Sequence, residues 1–102
     1  MVLSMSALAC AGGFSPAPTP QVVAAMPDTV PCDSAVKVRA NDEASGIRAE
    51  RRWLDAFYPK HSPYQQGLRG DRTHKYDVLR FDRADGRHAS VCFDITGFYG
   101  HW

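Results

Sequence analysis

No Asp, Glu, Lys or Arg occurs in the first 27 residues; all 12 basic and 11 acidic side chains of this 102-residue chain lie from Asp28 onward. The two parts therefore have different jobs. The chain also lacks CxxC, HExxH, GxSxG, a phosphate-binding glycine loop and EF-hand spacing, which removes the function classes that depend on them. A net charge of +1 provides no overall attraction to nucleic acid or to an anionic membrane. The length leaves room for one domain and one modest core.

What the opening does contain is apolar and small, ending Ala7-Leu8-Ala9-Cys10. Small residues at alternate positions suit a signal peptidase, and the same four residues approximate a lipoprotein box with Cys10 as the acylated residue. The apolar stretch is short and no basic residue precedes it; a reading frame that begins upstream of Met1 would supply both. Gly12, Gly13 and prolines 16, 18 and 20 interrupt the run well short of the ~20 residues that cross a bilayer. With prolines 27 and 31, they make the following stretch a semi-rigid extended tether. The expected organisation is an export segment and tether over 1–31 and a small domain over 32–102.

Lipidation of Cys10 leaves Cys32 and Cys92 as one pair, expected to form a disulfide in an oxidising compartment. Closing a loop of that length contributes on the order of 4 kcal/mol in the chain-entropy model.

Within the domain, alternation over Ser34–Ala40 predicts a short strand. A helix follows from about Asp42 to Phe57, with Asn41 or Asp42 as N-cap and Pro59 as its stop. Ile47, Leu54 and Tyr58 form one line of it, Ala49, Trp53, Ala56 and Phe57 flank them, and Arg48, Glu50, Arg52 and Asp55 are assigned to the wet side. Residues 59–73 read as a loop or irregular edge strand. Lys75–Asp82 and His88–Ile95 read as a hairpin around Asp85-Gly86. Ala89, Val91, Phe93 and Ile95 share one face of the return strand, so Cys92 points to the other. The expected fold is α+β: one helix packed on a small antiparallel sheet in two layers, ending in a β-hairpin. Its core candidates are Trp53, Leu54, Phe57, Val91, Phe93 and Ile95.

Chemistry is sparse. His88 stands four strand residues from Cys92, roughly 13 Å, too far for a thiol dyad. The histidines at 61, 74, 88 and 101 show no ligand spacing, so no metal and no cofactor is expected. Lys60, His61, Arg69, Arg72, His74 and Lys75 make the long loop locally basic. The tail brings Phe98, Tyr99 and Trp102 into the last five residues, Phe98 expected to pack and Trp102 to be displayed. Candidate binding residues are Lys60, Arg69, Arg72, Lys75, Tyr99 and Trp102.

The order helix, Tyr58-Pro59, extended segment, strand, Asp85-Gly86 turn and Phe93-Asp94-Ile95 strand resembles the PepSY-like and lactamase-inhibitor-like α+β units of exported bacterial proteins over about residues 43–96. The ending Phe93-Asp94-Ile95-Thr96-Gly97-Phe98-Tyr99-Gly100 is similar to that of small bacterial lipoproteins. The resemblance implies binding or inhibition rather than catalysis. The expected function is thus a non-enzymatic binding module of the periplasm or cell envelope, an inhibitor or immunity-type protein whose partner is another protein or an anionic envelope component. Nucleic acid is not an expected partner, and membrane contact is expected only through a lipid anchor. The alternatives are a structural accessory of an envelope assembly and a small thiol- or metal-dependent enzyme.

Overall fold

The computed structural model describes residues 26–101. Its elements are β1 (Thr29–Val30), a 3-10 turn (Cys32–Ser34), β2 (Val36–Lys37), α1 (Glu43–Phe57), β3 (Gln65–Gly70), β4 (Lys75–Asp82) and β5 (His88–Asp94). The class is α+β, with one helix over one sheet. The centre of the sheet is the β4–β5 hairpin. Gly86 supplies the positive φ of 89° at its turn, and Asp85 accepts a hydrogen bond from the Arg87 amide at 3.0 Å. β3 adds antiparallel to β4, its turn held by Asp71 Oδ1, which accepts from the amides of Thr73 (2.8 Å) and His74 (3.0 Å). The segment expected to be loop or irregular edge strand is therefore a six-residue strand at the edge of the sheet.

The opposite edge corrects the expectation of a wholly antiparallel sheet, because β1 and β2 both run parallel to β5 on its far side. Val30 lies opposite Val91 and Val36 opposite Phe93. Five residues thus intervene where β5 advances past only one, Cys92, and the surplus folds into the 3-10 turn. From there Cys32 bonds to Cys92 with 5.1 Å between their Cα atoms. The expected disulfide forms, and it crosses the edge to the face that Cys92 occupies. β1 also lies inside the stretch expected to be tether. Arg83 Nη1 donates to the Met26 carbonyl (2.6 Å) and to Asp28 (3.0 Å), and the Tyr58 hydroxyl donates to the Pro27 carbonyl (2.6 Å).

Asp42 caps α1 by accepting from the Ser45 amide at 2.8 Å. The C-terminal tail returns to the same end: the Glu43 amide donates to the His101 carbonyl at 2.8 Å, and Gly100 donates to the Glu43 carboxylate at 2.7 Å. The residues of α1 that face the sheet are Gly46, Glu50 and Leu54, all buried. This overturns the placement of Glu50 on the wet side; of the expected line, Leu54 and Tyr58 are buried and Ile47 only partly so. Gly46 is at the interior position where glycine costs helix stability, and the reason is steric: a Cβ there would run into the buried ring of Phe98. Leu54, Val91, Phe93 and Ile95 are core residues as expected. Trp53 and Phe57 are only partly buried, stacked on each other at 4.6 Å, with Trp53 edge-on to Phe93 at 5.3 Å.

Two outcomes follow from these contacts. Gly46→Ala gains about 1 kcal/mol of helix propensity but overpacks Phe98, so urea denaturation is expected to show a net loss of about 1–2 kcal/mol. Reduction of the disulfide, or Cys32→Ser with Cys92→Ser, is expected to lower unfolding free energy by about 4 kcal/mol on the same measurement.

Candidate functional site

The least expected arrangement lies between α1 and β4. Along β4 the inward positions are Asp77, Leu79 and Phe81, so a carboxyl enters the core by strand alternation. Glu50, one turn from Gly46 and one from Leu54, comes down against it from the helix. Glu50 is 3% exposed and Asp77 2%. Gln66, on the inner face of β3, donates from Nε2 to Asp77 Oδ2 at 2.8 Å. Glu50 Oε2 and Asp77 Oδ1 have no other donor around them, and a proton held between the two carboxyls satisfies both. Burial, the hydrogen bond to Asp77 and the charge of Asp77 together push the Glu50 carboxyl up to about 9. At neutral pH Glu50 is therefore a neutral carboxylic acid. The available signal was an Asp among the inward positions of a strand, which requires a partner on the facing helix; assigning Glu50 to water hid that partner.

The expected basic patch divides. Arg69, Arg72, His74, Lys75 and Tyr99 gather at the β3–β4 turn, where the Lys75 ammonium lies over the Tyr99 ring at 5.7 Å and His74 stacks parallel to Tyr76 at 6.0 Å. Lys60 belongs to the opposite end, beside Ser62, whose amide donates to the Asp82 carbonyl. The length of β4, about 23 Å, separates the two. Lys60 has φ of 61°, a backbone state in which side chains are uncommon. Tyr99 is 39% exposed while Phe98 is buried as expected. Cys10 and Trp102 lie outside the described residues.

Histidine chemistry is local. His61 bonds Asp55 at 2.8 Å, and His88 bonds Asp82, its cross-strand partner, at 2.6 Å. His88 and Asp82 line, with Arg80, Gln65 and Ser62, a shallow cleft of about 340 Å³ at the end of the sheet. Cys92, committed to the disulfide, offers no thiolate. Among the described residues no three His, Cys, Asp or Glu side chains converge in the manner of metal ligands, and no helix is long and apolar enough to cross a membrane.

The remaining exposed feature is β3 itself. Among the described residues no strand pairs with its outer edge, no proline or bulge interrupts it, and Leu68 is 55% exposed. Leu68 lies opposite Asp77 in the ladder, so the open strand borders the buried carboxyls directly.

Comparison with protein-family models, curated proteins and solved structures finds no match to this chain.

The carboxyl pair has a pH signature. Unfolded Glu50 ionises near 4.5 whereas the folded group keeps its proton to about 9. Between these values the native state holds the extra proton, so stability is expected to fall as pH rises, with a slope approaching about 1.4 kcal/mol per pH unit. Urea unfolding at pH 5 and pH 8 measures this. Glu50→Gln, which cannot ionise, is expected to flatten the difference.

Proposed function

We propose that this chain is an exported binding module, held at the cell envelope through an acylated Cys10 and acting on another protein as an inhibitor or immunity-type partner. The observation that carries this reading is the Cys32–Cys92 disulfide. Such a bond persists in oxidising compartments, and here it secures two strands of only two residues each to the sheet edge. The uncharged N-terminal segment supports the same compartment. The side chains that could do chemistry are engaged in structure: Cys92 is oxidised, His61 and His88 bond neighbouring carboxylates, and Glu50 and Asp77 are shut in the core. Arg69, Arg72, Lys75 and Tyr99 are at the surface around one turn, a mixture of charge and aromatic area suited to an acidic partner surface.

The test is the intact mass of the protein from its native host, alkylated before or after reduction. Cleavage ahead of Cys10 with acyl mass, and two cysteines alkylated only after reduction, is the expected result. An unprocessed chain with three free thiols would overturn both the compartment and the anchor.

A further inference from the structure

We infer that β3 is a self-association edge, across which two copies of the chain pair antiparallel about Leu68 to form one continuous sheet. The first ground is the direction of the backbone. The Ile95 amide donates to the Lys75 carbonyl at 2.9 Å, so Lys75 turns its polar groups toward β5. Alternation then turns Tyr76, Val78 and Arg80 toward β3, where they face Arg69, Gly67 and Gln65. Gln66, Leu68 and Gly70 are left with amides and carbonyls directed outward, away from the sheet.

The second ground is self-complementarity. A two-fold axis through Leu68 places that residue opposite its copy on the helix side of the sheet, each covering the other's exposed surface. The same register sets Gln66 opposite the partner's Gly70, and Arg69 opposite the partner's Gly67. A side chain built at Gly67 would meet nothing within 4 Å, so the long Arg69 side chain has room there. No like charges oppose one another along the six residues; like charges directly opposite would weaken the pairing. The other edge is occupied by β1, β2 and the disulfide turn, so the assembly closes as a dimer rather than growing into a fibre. The contact is a short strand and one apolar pair, which places it among weak interfaces.

Sedimentation of the oxidised full chain over about 10 to 500 µM is expected to show a reversible monomer–dimer equilibrium. Leu68→Lys, which puts two ammonium groups face to face, is expected to weaken association about tenfold or more with the monomer's melting curve unchanged. Register is tested by cross-linking in a Cys10→Ser background: Leu68→Cys is expected to give a reducible dimer, since opposed residues of a paired ladder stand about 5.5 Å apart. Gln66→Cys, four residues out of register with its own copy, is expected not to. A chain that stays monomeric throughout, a dimer indifferent to Leu68→Lys, or equal cross-linking at both positions would each overturn the inference. Pairing of β3 only with a foreign extended peptide would do so as well.

Discussion

One helix has to cover a sheet that is wider than it is. A helix with its side chains is about 10–12 Å across, whereas four strand positions at about 4.8 Å extend well beyond that. α1 seats itself over β4 and β5, where Leu54, Leu79, Val91 and Phe93 bury most completely. Both flanks then need another solution, and the chain solves them differently. On the β5 side, Met26, Val30 and Trp53 extend the core, Arg83 and Tyr58 bind the entering backbone, and the disulfide fixes the strand pair. On the β3 side nothing comparable is present among the described residues, where Leu68 is 55% exposed.

The same constraint explains the C-terminal tail. After β5 the chain turns back at Ile95 to place Phe98 beneath the first turns of the helix, where Gly46 leaves the space. The Glu43 contacts with Gly100 and His101 then join the last described residues to the helix N-terminus. The helix is thus gripped at one end by the tail and at the other by Tyr58, which packs edge-on to Phe81 at 5.0 Å.

Much of this was legible along the chain, and the unread part has a common cause. The Asp42 cap, the Tyr58-Pro59 stop, the Gly86 turn and the face shared by Ala89, Val91, Phe93 and Ile95 are local features, decided within a few residues. Cysteine parity was enough to pair Cys32 with Cys92 because Cys10 was assigned elsewhere. The parallel pairing of β1 and β2 was not legible: two-residue strands carry no periodicity, and their partner lies about sixty residues away. Glu50 was misread for a related reason. Charge assigns a side chain to water by default, and only the inward Asp77 of a distant strand reverses that assignment. The basic patch divided because residues close in sequence were carried to opposite ends of an eight-residue strand.

The buried carboxyls lie between α1 and β4, one strand in from the open edge, and this position has a physical logic. An apolar line of contacts can slide by a turn at modest cost, since one branched side chain replaces another. A protonated Glu50 facing Asp77 cannot, because any displacement leaves two buried oxygens without their shared proton, and unmet polar groups of that kind are expensive. Holding the proton removes one of the two charges that would otherwise have to be desolvated, which makes the pair tolerable in a core this small. Gln66 reaches the pair from β3 through its hydrogen bond to Asp77 of β4, a polar contact rather than apolar cover. The backbone groups on the outer edge of β3 stand in ladder geometry through its pairing with β4, open to a second strand, beside a polar contact that costs stability in the core.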